Sequence, residues 1–148
     1  MREVFLAREE HIPHIAALEK ATFTTPWSES SIRMFFDIGG TFTAVCLEDG
    51  ELASYCTVLI VLDEVQIINV ATAEKYKRRG CADAVISLVL EESKRRNIET
   101  LSLEVRVSND PAISLYEKYG FSIAGRRKGF YEKPKEDAFV MIKYLGKE

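Results

Sequence analysis

The stretch "IINVATAEKYKRRGCADAVI", residues 67–86, runs from a β-rich segment through a basic, glycine-containing loop into a helical pattern. It places Lys75, Lys77, Arg78 and Arg79 side by side in a chain that is acidic as a whole, with 20 Lys and Arg against 23 Asp and Glu. A strand, such a loop and a helix start form a general arrangement for holding phosphate. Backbone N–H groups of the first helical turn point outward, and the helix dipole adds roughly half a positive charge there. Gly80 permits close backbone approach, and Ala82 keeps the next position small. The loop lacks the Gly-Lys-Ser/Thr ending of a nucleotide P-loop, and no dinucleotide G-x-G-x-x-G is present. On these residues alone, a solvated helix start is the alternative to an anion site.

The rest of the composition narrows the choice. A chain of 148 residues, 47% hydrophobic and 29% charged, is expected to fold as one domain, 1–148, with a real core. A net charge of −3 disfavours a general nucleic-acid binder, which usually carries a broad basic surface. A local basic cluster in an acidic chain instead suggests a small anionic ligand. The N-terminal "MREVFLAREE" has no signal-like apolar stretch, and the longest apolar run, "TVLIVL" at 57–62, is too short to span a membrane. Cys46, Cys56 and Cys81 have no metal-type spacing, and only His11 and His14 accompany them, so no metal site is expected. A cytoplasmic setting is expected.

Residues 2–7 read as a strand, and Pro13 opens a helix carrying Ile15, Leu18 and Phe23. Ser28 is a candidate cap for a second helix with Ile32, Phe35 and Phe36 on one face. Asp49-Gly50 joins two β-rich runs between 41 and 62 as a hairpin, and a third run covers 64–72. The helix after the basic loop carries Ala82, Val85, Ile86, Val89 and Leu90 as one stripe. "TLSLEVRV" at 100–107 alternates strictly, which turns Glu104 away from the leucines. Asn109 caps a further helix bearing Ala112, Leu115, Tyr116 and Tyr119, which Gly120 stops. Two last β-rich runs cover about 121–131 and 137–145. The order β-α-α-β-β-β-α-β-α-β-β predicts an α/β fold, a mixed central β-sheet flanked by helices.

"KRRGCA" at 77–82, preceded by "IINVAT", resembles the pyrophosphate loop Arg/Gln-x-x-Gly-x-Gly/Ala of the GNAT superfamily of N-acetyltransferases. Lys77 departs from the usual first residue. "PWSES" at 26–30, "LEVRVSNDPAISLYEKYGF" at 103–121 and "EDAFVM" at 136–141 are similar to the bacterial group that acetylates a ribosomal protein's N-terminal alanine. The resemblance covers nearly the whole chain and implies the GNAT fold, with acetyl-CoA as donor and direct transfer to an amine.

The resemblance also implies roles. Glu104 would be the base and Tyr116 the acid. The backbone of Val70, Ala71 and Thr72 would run beside the pantetheine arm. Arg78, Arg79, Gly80, Cys81, Ala82 and Asp83 would surround the pyrophosphate, Asp83 through its N–H. Asn109 would hydrogen-bond the cofactor. Trp27, Phe130 and Tyr131 would line a peptide groove. Without the resemblance, Glu104 could be a surface glutamate, Tyr116 and Trp27 core aromatics, and Cys81 either a small filler or a reactive thiol. Glu104, Glu136 and Asp137 would suit a cationic peptide N-terminus. "EKPKEDA" lacks the Gly-His common before Glu-Asp in that group. The expected partner is a protein N-terminal peptide, with no membrane and no direct nucleic-acid contact. The alternatives are a small-amine or other protein acetyltransferase and a non-catalytic acyl-CoA-binding module.

Overall fold

A computed structural model describes residues 1–146. The chain opens with β1 (Arg2–Leu6), turns through a short 3-10 segment at Glu9–His11 and enters α1 (Ile12–Thr22), with Pro13 in the first turn. In α2 (Glu29–Asp37) the Ser28 hydroxyl accepts the Ser31 N–H at 3.1 Å, as its cap position predicts. β2 (Thr41–Glu48) and β3 (Glu51–Val61) form the hairpin, and Asp49 and Gly50 both take the positive φ of a tight β-turn. β4 (Glu64–Thr72) leads through the basic loop into α3 (Cys81–Arg95). Then come β5 (Thr100–Arg106), α4 (Asp110–Lys118), β6 (Ser122–Glu132) and β7 (Lys135–Tyr144). The element order is the expected one, with 3-10 turns at Glu9–His11 and Glu74–Tyr76 added.

The seven strands make one mixed sheet in the order β1-β2-β3-β4-β5-β7-β6. Its neighbours are antiparallel except β4 and β5, which are parallel. One face packs against α3 and α4 through Val85, Ile86, Val89 and Tyr116. The other packs against α1 and α2 through Ile12, Ile15, Leu18 and Ile32. The alternation in β5 buries Leu101, Leu103 and Val105 on the α3–α4 face, so Glu104 emerges on the α1–α2 face.

The parallel pairing of β4 with β5 lasts only three residues, from Glu64 opposite Thr100 to Gln66 opposite Ser102. Just beyond it, Ile67 lies opposite Val58 and Asn69 opposite Thr57, which leaves Ile68 as an extra residue on β4. Such a bulge bends its strand and increases local twist. From there to Thr72 β4 remains paired with β3 but has no pairing with β5, so the sheet opens into a gap at its centre. Among the described residues no helix is long and apolar enough to cross a membrane.

Ile86, wholly buried between α3 and the sheet, anchors this frame, whereas Leu62 at the β3–β4 turn is 93% exposed. Ile86→Ala is expected to lower the urea unfolding free energy by about 2–5 kcal/mol. Leu62→Ala should stay within about 0.5 kcal/mol of the parent.

Candidate active site

The site is built around the gap between β4 and β5. Ala73 N–H donates to Ala53 on β3 at 2.8 Å, so strand alternation turns the backbone of Val70 and Thr72 toward the gap. Ala71 lies between them, buried, its carbonyl accepting from the Ser54 hydroxyl at 2.8 Å. Of the three expected pantetheine-side residues, two therefore offer backbone to the gap, and the third holds the strand to β3.

At the end of β4 the basic loop separates its four cations. Lys75 pairs with Glu51 at 2.7 Å and Lys77 with Glu74 at 3.2 Å. Arg79 lies over the Tyr76 ring, 5.8 Å from its centroid, and Arg78 has no partner among the described residues. Arg78 and Gly80 both take positive φ, 65° and 81°, and Gly80 enters α3 with no side-chain cap on the helix start. The N–H groups at Cys81, Ala82 and Asp83 precede the first intrahelical bond, from Ala84 N–H to the Gly80 carbonyl. Arg2, from the far edge of the sheet, braces the loop by donating to the Arg79 carbonyl at 2.6 Å while pairing with Glu48 at 2.6 Å.

Cys81 is buried, and its thiol donates to Glu48 at 3.4 Å. Burial, then the neighbouring Cys46, pushes its pKa up to about 12, so the thiol is an inert filler and not a reactive thiolate. The Asp83 carboxylate turns away to Lys118 and to the Tyr119 hydroxyl, and the Lys118 bond first of all lowers its pKa. This leaves the Asp83 backbone as the part that faces the loop's concavity. Asn109 caps α4, its side-chain oxygen accepting from Ala112 N–H at 3.3 Å.

Glu104 and Tyr116 lie on opposite faces of the sheet. The Glu104 side chain is 34% exposed, and its nearest cation is Arg127 at 3.9 Å, not the neighbouring Arg106. Tyr116 is 7% exposed, and its ring packs edge-on against Phe121. Among the described residues its hydroxyl has no hydrogen-bond partner. Burial above all, then the fields of Cys56 and Tyr131, raises the Tyr116 pKa beyond the ordinary phenol range, so it is a neutral O–H.

Tyr131 links the two. Its own pKa is raised by burial, and Glu104 and Glu136 add to that rise while Arg106 opposes it. The Arg106 guanidinium stacks over the Tyr131 ring at 4.2 Å and donates to the carbonyls of Pro134 and Lys133. Phe130, 42% exposed, meets Tyr131 edge-on at 5.0 Å.

The expected acidic trio is not one patch. Glu136 is engaged by Arg106 and the Ser108 N–H, and Asp137 by Arg126 and the Gly129 N–H. Only Glu104 keeps a lightly engaged carboxylate at the gap.

Trp27 sits half-buried in the loop between α1 and α2, edge-on to Phe35 at 5.3 Å. Thr24 of the same loop donates to the Lys133 carbonyl at 2.9 Å, which joins the Trp27 loop to the turn that follows Phe130 and Tyr131 at the end of β6. Sequence reasoning missed Arg2 and Glu19. The signal for Glu19 was present, because it falls four residues after Ile15 on the apolar stripe of α1, where an acid needs a reason.

The acetyltransferase (GNAT) family model matches residues 12–121. A relative from Bacillus subtilis (strain 168) is 37% identical over 135 residues, covering 90% of this chain and 89% of its own. The [ribosomal protein bS18]-alanine N-acetyltransferase of Escherichia coli (strain K12) is 33% identical over 133 residues, 88% of each chain. The crystal structure of the ribosomal-protein-S18-alanine N-acetyltransferase from Escherichia coli superposes with a TM-score of 0.92 at 29% identity, covering 100% of this chain and 96% of that one. A gap flanked by free backbone, a glycine-containing basic loop at a helix start and a match over most of the chain converge: the chain belongs to the acetyltransferase (GNAT) family.

Proposed function

We propose that this acetyltransferase moves the acetyl group of acetyl-CoA to the α-amine of a protein N-terminus, the alanine of a small-subunit ribosomal protein, by direct attack. One observation carries the reading. The sheet opens at the bulge on β4, with a partly exposed carboxylate beside the gap on one face of the sheet and a neutral, unpartnered phenol on the helix that covers the other face. The substrate follows from the names of the Escherichia coli relatives and from the aromatic surfaces of Trp27, Phe130 and Tyr131. The whole chain acts as one domain, in the cytoplasm, where ribosomal proteins are made.

In this reading the arm of acetyl-CoA lies along the backbone of Val70 and Thr72, and its pyrophosphate rests in the loop formed by residues 78–83, with Asn109 alongside. The peptide ammonium enters from the α1–α2 face. Glu104 accepts its proton, directly or through water, and the freed amine attacks the thioester carbonyl carbon. The C–N bond forms, the C–S bond breaks, Tyr116 gives its proton to the departing sulfur, and the second proton shed by the acylated nitrogen restores the phenol. The products are the N-acetyl peptide and CoA. A phenol whose pKa lies above its ordinary value stays protonated throughout the working range and is ready to act as an acid.

The direct test is CoA release with acetyl-CoA and a short peptide bearing a free N-terminal alanine, beside an N-blocked copy and spermidine. Only the free alanine peptide should turn over. Glu104→Gln should reduce its kcat by about 10²–10⁴-fold. Turnover of spermidine but not of peptide would remove the N-terminal reading, and binding without turnover would remove the assigned roles of Glu104 and Tyr116.

The pH profile has a definite sign. kcat/KM for the peptide should rise through the α-amine pKa at about 8 and hold level to about pH 10, because the raised Tyr116 pKa displaces any alkaline fall upward. A fall beginning between these two points would mean that the Tyr116 phenol is not shifted upward. Arg78→Ala should raise the KM for acetyl-CoA roughly five-fold, the effect of losing about 1 kcal/mol of hydrogen bonding. Its thermal melt should not change, because Arg78 has no partner to lose among the described residues.

A further inference from the structure

Glu19 is a carboxylate where the fold has little use for one. It projects from the last turn of α1 into the core between helix and sheet and is 2% exposed. Among the described residues no cation balances it. It meets three neutral groups, and every one donates. The Tyr55 hydroxyl of β3 donates to Oε1. The Asn69 amide of β4 donates to both oxygens, at 3.1 and 3.2 Å. The Trp27 backbone N–H, eight residues along the chain, donates to Oε2 at 3.0 Å. A fully donor-lined pocket complements an acceptor-only carboxylate. A buried carboxylate without a cation is nonetheless an expensive way to fill a core that Leu or Met could fill.

What it joins explains its presence. Asn69 immediately follows the bulged Ile68 and immediately precedes Val70, so it sits where β4 leaves β5 and the donor segment begins. Trp27 belongs to the loop that forms the acceptor side. These two segments have no direct hydrogen bond to each other among the described residues, and the Glu19 carboxylate spans them.

We propose that Glu19 is a positioning residue that fixes the acceptor loop at Trp27 relative to the bulged donor segment of β4. This sets where the incoming amine lies against the thioester. Misplacement of reacting groups by about 1 Å from a distant change can cost about 100-fold in rate. The inference rests on the function proposed above, and its test separates the two.

The test uses three variants of the full chain. Glu19→Gln keeps size and an oxygen for Tyr55 and for one of the two Asn69 bonds, but turns an amide N–H toward the Trp27 N–H, so it breaks the bridge at its loop end. Asn69→Ala breaks the same bridge at its β4 end, at a half-buried position that tolerates truncation should Glu19→Gln fail to fold. Tyr55→Phe removes a bond that belongs to neither end of the bridge.

The expected result is a rise of about tenfold or more in the KM for the alanine peptide in Glu19→Gln and Asn69→Ala, with the KM for acetyl-CoA within about twofold of the parent. Tyr55→Phe should lower the melting temperature and leave both KM values alone. Trp27 is the single tryptophan of the chain, so its fluorescence reports on the loop itself. Acrylamide quenching should increase in Glu19→Gln and Asn69→Ala at unchanged far-UV circular dichroism.

Three results overturn the proposal: peptide KM values within twofold of the parent in both bridge variants, equal losses for both substrates, or the same kinetic change in Tyr55→Phe. If the parent enzyme does not acetylate the peptide at all, the function proposed above fails. Quenching then decides the role of Glu19, and unchanged quenching in both bridge variants overturns it.

Discussion

The structure depends on a single interrupted contact, the parallel pairing of β4 and β5 that stops after Gln66 and Ser102. Backbone N–H and C=O groups in a sheet interior are obliged to find partners. An opening there commits the chain to water or to a ligand that hydrogen-bonds like a strand. The bulge at Ile68 makes the interruption local, because β4 stays paired with β3 on either side of it. The end of β4 is thus held by one neighbour and open toward the other, while Glu104 remains held by β7 across from Val140. In the proposed function, the two halves of the chemistry sit on strands that neighbour one another in the sheet but are free to diverge.

The basic loop follows the same division of labour. Its lysines are consumed by Glu51 and Glu74 and fix the loop's shape, while the two arginines are left for the outside. Arg2 reaches across from β1 to hold the Arg79 carbonyl, so the loop's backbone geometry is set by a residue 77 positions away. A carbonyl tied back in this way cannot turn toward an anion, and the neighbouring N–H groups keep the concave side to themselves.

Much of this was legible from residues. Strict alternation in "TLSLEVRV" put Glu104 on the face away from the leucines, and Asp49-Gly50 marked the hairpin, because both depend on local geometry alone. The insertion of β7 between β5 and β6 and the bulge at Ile68 were not legible. Each is a choice of strand partner and register made by the whole sheet, and no local pattern encodes it. Glu136 and Asp137 looked like free acids beside Glu104 because their partners Arg106 and Arg126 come from other strands or distant registers. Glu19 was visible as an acid on an apolar stripe, but its meaning depends on Tyr55, Asn69 and Trp27, which only the tertiary fold brings together.

The insertion of β7 also bears on the order in which the molecule is made. A ribosome releases β5 and β6 before β7, yet β7 must enter between them. Until it does, β5 has only its three-residue pairing with β4 and a long unpaired edge. The nascent chain can therefore finish its hairpin, its basic loop and α3 while the strand bearing Glu104 still waits for a neighbour.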